Sequence, residues 1–148
     1  MPHHKLKVFL DTSVLISGLN SSFGASSFIL ALFKLKQIEL IISKTVVEEA
    51  KNVIKDKFPD LKNKFVNFLF FDKPKVIKEA TKNEVIKIFK IIKTEDAPIL
   101  ADAIKSKANF LITLDKRFIN RVQEDFKDKI SILLPKDFVQ IFRKIGQN

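Results

Sequence analysis

The sequence predicts an α/β domain in which a parallel sheet is covered by helices on both faces, a three-layer α/β/α arrangement. Short apolar runs of strand length alternate along the chain with longer segments whose apolar residues recur at helical spacing. Strands joined through helices pair in parallel, and right-handed crossovers distribute the helices over both faces. The length of 148 residues, 46% of them apolar, suffices for one buried core, so one domain over residues 1–148 is expected.

Lys7 to Leu10 reads as a buried strand that opens onto Asp11 and Thr12. Val14 to Leu19 gives a short helix, and Asn20 to Gly24 breaks it with turn formers. Ser26 or Ser27 is placed to cap a second helix running to about Lys36. Glu39 to Ile42 returns as a strand. Over Ser43 to Lys57, the positions Val46, Val47, Ala50, Val53 and Ile54 have helical spacing, and Pro59 closes the segment. Leu61 to Phe71 suits either a helix with a trailing strand or a strand-like apolar run, the helix being preferred, and Lys75 to Ile77 a short edge strand. Thr81 and Glu84 have capping-box spacing for a helix to about Ile92, and Thr94 is placed to cap another that reaches Lys107. Pro98 is tolerated there only in the first turn. Phe110 to Thr113 and Ile130 to Leu134 complete the strands, with a short helix between them and a last helix from about Lys136 to Ile145.

The chain has no cysteine, which excludes disulfides, thiolate chemistry and cysteine-held zinc and favours a cytoplasmic setting. Its apolar runs are far shorter than the roughly 20 residues of a spanning helix, so no membrane role is expected. A formal net charge of +10 favours polyanions such as nucleic acid. The same excess of lysine, isoleucine, phenylalanine and asparagine also arises in an AT-rich genome, and the basic residues are scattered rather than blocked.

Elimination narrows the chemistry. His3 and His4 are the only histidines and sit at the extreme terminus, where disorder or a remnant tag is the expectation. There is no GxxxxGK[ST] or GxGxxG loop to cradle phosphates. Carboxylates remain. Ligand sites of parallel sheets form at the carboxyl ends of the strands, where the strand order reverses. Asp11 ends the first strand, Asp115 follows the fourth, and Asp96 lies in the first turn of a helix starting at that same edge. A helical wheel through Ile99, Leu100 and Ala103 places Asp96 on the buried face and turns Glu95 and Asp102 away from it. Singly, each acid is also an ordinary turn or cap residue. Together they repel, by about 4 kcal/mol per pair at 4 Å and an effective dielectric of 20, unless a cation binds among them. An all-oxygen set suits Mg²⁺ or Mn²⁺, and the matching chemistry is metal-assisted phosphodiester hydrolysis.

Four segments carry a family resemblance over nearly the whole chain: Val8-Phe9-Leu10-Asp11-Thr12-Ser13-Val14-Leu15, Ile41-Ile42-Ser43 leading to Glu48-Glu49, Asp96-Ala97-Pro98-Ile99-Leu100-Ala101, and Leu111-Ile112-Thr113-Leu114-Asp115-Lys116. In order and spacing they resemble the acidic motifs of PIN domains, above all the VapC-like toxin ribonucleases of toxin-antitoxin pairs. The resemblance implies a five-stranded parallel sheet, a Mg²⁺ or Mn²⁺ site, cleavage of single-stranded RNA, a homodimer and an antitoxin partner. It further implies that Asp11, Glu49, Asp96 and Asp115 hold the metal or orient its water, with Ser13 and Thr113 as supporting hydroxyls. Ser13 stands where many relatives carry asparagine, and Leu114 where glycine or arginine is frequent. Lys116, Arg117 and Arg121 are candidates for RNA phosphates. Phe23, in a loop near the site, is a candidate for base stacking, although most of the 15 phenylalanines must be core.

Other folds that place an aspartate after the first strand fit less well. A haloacid-dehalogenase-like phosphatase needs a second aspartate where Ser13 stands, and a phosphorylation receiver domain needs paired acids where Asp11 stands alone. The rival that survives is a non-catalytic PIN-like module that binds RNA or a protein. Between the two adjacent glutamates, about 100° per residue sets Glu49 at the boundary of the buried face and Glu48 in water, with Thr45 and Glu48 spaced as a capping box.

Overall fold

The computed structural model describes residues 5–146, so His3 and His4 lie outside the described residues. Strands β1 (Lys7–Leu10), β2 (Glu39–Ser43), β3 (Lys75–Ile77), β4 (Phe110–Ile112) and β5 (Ser131–Leu133) form one parallel sheet in the order β3-β2-β1-β4-β5. Phe9 of β1 stands opposite Ile41 of β2 on one side and Leu111 of β4 on the other. Val8, Phe9 and Leu10 are fully buried in succession. A central parallel strand is covered on both faces, and this is why its sequence is continuously apolar rather than alternating. The chain winds outward from β1 to β3 and then returns to the far side of β1, so the strand order reverses between β1 and β4.

The helices are α1 (Thr12–Asn20), α2 (Ala25–Lys34), α3 (Lys44–Lys57), α4 (Lys62–Asn67), α5 (Lys82–Ile92), α6 (Ala97–Lys105), α7 (Lys116–Phe126) and α8 (Pro135–Ile145). α1 and α2 meet at Gly18, where a Cβ would lie 2.7 Å from Leu30 Cδ1; the pair crosses this closely only because position 18 has no side chain. Among the described residues no single helix is long and apolar enough to cross a membrane. Thr81 and Glu84 form the expected capping box, the Thr81 hydroxyl accepting from the Glu84 N–H and the Glu84 carboxylate from the Thr81 N–H.

Several boundaries depart from the sequence expectation. α2 starts at Ala25 behind Gly24, whose φ of 98° only glycine adopts easily, so neither Ser26 nor Ser27 is its cap. Residues 59–72 contain a 3₁₀ turn (Pro59–Leu61), α4 and a π turn (Phe68–Asp72), with no trailing strand. Phe65 and Phe68 point into the core while Phe70 and Phe71 stay 68% and 79% exposed, an inside-outside pattern that one helical path satisfies. α6 begins after Asp96, not at Thr94, and ends at Lys105. The connection from β4 to β5 is a full helix of 11 residues. Asp102, expected to face outward, is only 1% exposed: its Oδ1 accepts from the Ala80 N–H at 2.6 Å and its Oδ2 has no partner. The loop before α5 packs over that flank of α6 and buries a face that a lone helix would leave in water.

Candidate active site

The site is built where β1 and β4 end side by side. Asp11, immediately after β1, is the N-cap of α1: its Oδ1 accepts from the Thr12 N–H at 2.7 Å. Its Oδ2 accepts from the Thr113 hydroxyl at 2.8 Å, which ties it to the end of β4. The Thr113 oxygen in turn accepts from the Asp115 N–H at 3.2 Å, and Asp115 caps α7 by accepting from the Phe118 N–H at 3.1 Å. From the next strand over, α3 brings Glu49 back to the same edge, and the Thr12 hydroxyl donates to its Oε2 at 2.7 Å. Asp96 occupies the N-cap position of α6 without capping it; the Thr94 hydroxyl donates to its Oδ2 and accepts from its N–H, each at 3.3 Å. The carboxyl ends of both strands thus deliver acids to one edge, the place where parallel sheets put their ligands.

The acids lie close enough for their charges to act on Asp11 and Asp96. Burial pushes the Asp11 carboxyl above its ordinary value of 3.8; hydrogen bonds from Thr113 and Thr12 act against this, and the charges of Glu49 and Asp96 add to it. Asp96 is likewise raised, first by burial and then by Asp115 and Glu95, while the Thr94 hydrogen bond and Arg121 pull it down. Among the described residues no three acids are disposed to enclose an ion by themselves. They form instead an arc linked in pairs, Glu49 to Asp11, Asp11 to Asp96, and Asp96 to Asp115. That fits a hard cation of the Mg²⁺ type, which keeps several waters and takes one or two carboxylates together with substrate phosphate. Neither histidine nor cysteine contributes among the described residues, so a zinc-type donor set is absent there.

A raised acid makes the metal-free site a stability penalty. Above the ordinary value of 3.8 the unfolded chain releases its protons while folded Asp11 and Asp96 still hold theirs. Metal-free stability therefore falls as pH rises through that window, and the full penalty remains above the raised values. In EDTA at neutral pH, Asp96→Asn should melt higher than the parent by about 1 to 3 °C, a small gain because a half-exposed group is screened. Added Mn²⁺ should stabilise the parent more than the variant. Thermal melts with and without Mn²⁺ check this, and a lower metal-free melting temperature for Asp96→Asn would make Asp96 a purely structural residue.

A family model described as "PIN domain" matches residues 7–117, from the start of β1 into the first turn of α7 and across all four acids. The chain belongs to the PIN-domain family. PIN domains are generally nucleases. Two solved structures share the fold. VapBC2 from Rickettsia felis, bound to a DNA fragment from their promoter, is 18% identical, with a TM-score of 0.57 over 86% of this chain and 97% of that one. PAE2754 from Pyrobaculum aerophilum is 15% identical, with a TM-score of 0.65 over 97% of this chain and 91% of that one. No curated protein matches the chain.

Within this PIN domain the expected residues separate into those that converge and those that do not. Asp11, Glu49, Asp96 and Asp115 share the carboxyl edge, and Thr113 supports two of them. Ser13 is exposed and makes no side-chain hydrogen bond among the described residues; its neighbour Thr12 does the supporting work at Glu49. Thr94, which its position marks only as a cap, holds Asp96. A short hydroxyl beside each acid was the available signal. The helical wheel through α6 does not apply to Asp96, which precedes the helix. Glu49 is exposed rather than at the core boundary. Thr45 and Glu48 form no capping box because α3 is capped two residues sooner, at Ser43, whose hydroxyl accepts from the Val46 N–H. Arg121 lies near enough to Asp96 to lower it, whereas Lys116 and Arg117 are exposed at the start of α7.

Proposed function

We propose that this PIN domain is a metal-dependent endoribonuclease that cuts single-stranded RNA, with Mg²⁺ or Mn²⁺ held by Asp11, Glu49, Asp96 and Asp115. The observation that carries the reading is the arc of four acids on one sheet edge, two of them, Asp11 and Asp96, raised by burial and by neighbouring carboxylates. Acids in that state gain from a divalent ion what no side chain on the arc provides. When bound, such an ion supplies charge for the phosphate and a water of lowered pKa. The residues do the positioning. Thr113 fixes the face that Asp11 presents, Thr12 aims Glu49, and Thr94 steadies Asp96. Lys116, Arg117 and Arg121 draw the polyanion toward an edge that would otherwise repel it.

The partner side of the reading is a homodimer and an antitoxin protein, in the cytoplasm. The Rickettsia felis neighbour is a VapBC pair, and the exposed Phe70 and Phe71 offer apolar surface for a partner to cover. Labelled single-stranded RNA incubated with the protein should be cut in Mg²⁺ or Mn²⁺ and left intact in EDTA. Cutting that persists in EDTA would overturn the metal role, and tight binding without turnover in any divalent metal would assign the domain to binding alone.

A further inference from the structure

The arc of acids is flanked by two grooves of opposite character. One, beside Glu49, is lined by Lys44 but also by Glu48, Glu49 and Glu79. The other, of about 430 Å³, opens beyond β4 and β5, and Lys116 and Lys136 line it with no acid among its walls. A polyanion leaving the site is driven to the second. There, α2 begins behind Gly24, which has no side chain to cap it, so the first N–H groups of a ten-residue helix face outward without a side-chain acceptor. Ser26, in that first turn, is only 7% exposed, and its hydroxyl makes no hydrogen bond among the described residues. It is not sealed either: the one fully enclosed side-chain polar atom without a partner among the described residues is Asp102 Oδ2, and Ser26 is among the residues that line the groove. A nearly buried hydroxyl without a protein partner, at a helix amino end in a groove that two lysines line, offers a donor for an anionic acceptor.

Over the same groove stands Phe23, 86% exposed, in a turn closed by the Ser21 hydroxyl, which accepts from the Phe23 N–H at 3.1 Å and donates to its carbonyl at 2.7 Å. From this we infer that the groove is a phosphate subsite of the nucleic acid strand: the amino end of α2, Ser26, Lys116 and Lys136 grip one phosphodiester beside the cutting site, and Phe23 stacks the adjoining base. α8 adds less, because Pro135 at its start has no N–H and Asp137 in its first turn offsets the dipole. The inference rests on the RNA reading above for its ligand but not on turnover for its test.

Binding of a fluorescent single-stranded RNA is measured by anisotropy in the Asp11→Asn background across a salt series, for Lys136→Gln, Ser26→Ala, Phe23→Ala and, as a control, Lys57→Gln at the far end of α3. Lys136→Gln should weaken binding several-fold and flatten the slope of log affinity against log salt by about 0.7, the share of one phosphate on a single strand. Phe23→Ala should weaken binding about tenfold without changing that slope, as loss of one stacked base does. Ser26→Ala should weaken it two- to fivefold with an unchanged melting temperature, and inorganic phosphate at millimolar concentration should compete with the parent more than with Ser26→Ala. If Lys136→Gln and Lys57→Gln alter affinity and slope equally, or Ser26→Ala changes nothing, the subsite is wrong. Such a result in a protein that cuts RNA sinks the subsite alone; the expected pattern in a protein that does not cut sinks the nuclease alone.

Discussion

Asp11→Asn should lower metal-dependent RNA cleavage by more than about a hundredfold while the fold stays intact, and Thr113→Val should lower it by about 10- to 100-fold. Asp11 is the acid to which the rest of the arc is tied: Thr113 bonds one oxygen, the Thr12 N–H the other, and the charges of Glu49 and Asp96 act on it. Asparagine keeps an acceptor for the Thr12 N–H, so α1 remains capped, but it removes the charge that a divalent ion needs. Thr113 touches no substrate in this reading. It is fully buried and orients Asp11, and loss of such an outer partner typically reduces metal affinity or activity by about 10- to 100-fold. Removing the ligand itself must exceed that range. Cleavage rates at several Mn²⁺ concentrations separate the two variants: excess Mn²⁺ should restore much of the Thr113→Val loss and little of the Asp11→Asn loss. Equal rates for Asp11→Asn and the parent would remove Asp11 from the chemistry.

The second large effect distinguishes two neighbouring glutamates. Glu49→Gln is expected to reduce cleavage on the order of a hundredfold, and Glu48→Gln to leave it within a few-fold. Glu49 receives the Thr12 hydroxyl at 2.7 Å and raises the Asp11 carboxyl through its charge, so it belongs to the arc despite its exposure. Glu48 points into solvent and, among the described residues, pairs only with Lys51 at 3.7 Å, one turn along the same helix. Such exposed pairs are worth about 0.3 to 0.5 kcal/mol, so Glu48→Gln should also leave stability nearly unchanged. No cap interaction is lost with it, because Ser43, rather than Thr45, caps α3. One Mn²⁺ assay and one denaturation curve per variant decide the matter. The reverse ranking would mean that Glu48 turns inward when RNA binds.

What local patterns encode was readable in advance. The buried run Val8 to Leu10, the capping box of Thr81 and Glu84, and the helical spacing of α3 need only neighbours within a few residues. The acids at strand ends were legible for the same reason, since a parallel strand delivers the residue that follows it to the carboxyl edge wherever the strand lies in the sheet. Where local signals compete, the sequence leaves the outcome open: four serines and a glycine near the start of α2 offer more than one cap, and the phenylalanine-rich stretch from Leu61 to Phe71 suits helix or strand until its neighbours choose.

Tertiary structure alone decided the rest. Thr12 and Glu49 meet across 37 residues, and Thr113 and Asp11 across 102, so no window of sequence relates them. Asp102 is buried because the Ala80 loop lies over a helix face that is polar on any wheel. Ser26 falls inside the first turn rather than at the cap because Gly24 starts the helix sooner, and it comes to line the groove that Lys116 and Lys136 also line. Periodicity reports which way a side chain points from its own helix; what waits in that direction depends on how distant elements pack, and that is set by the closure of the whole sheet.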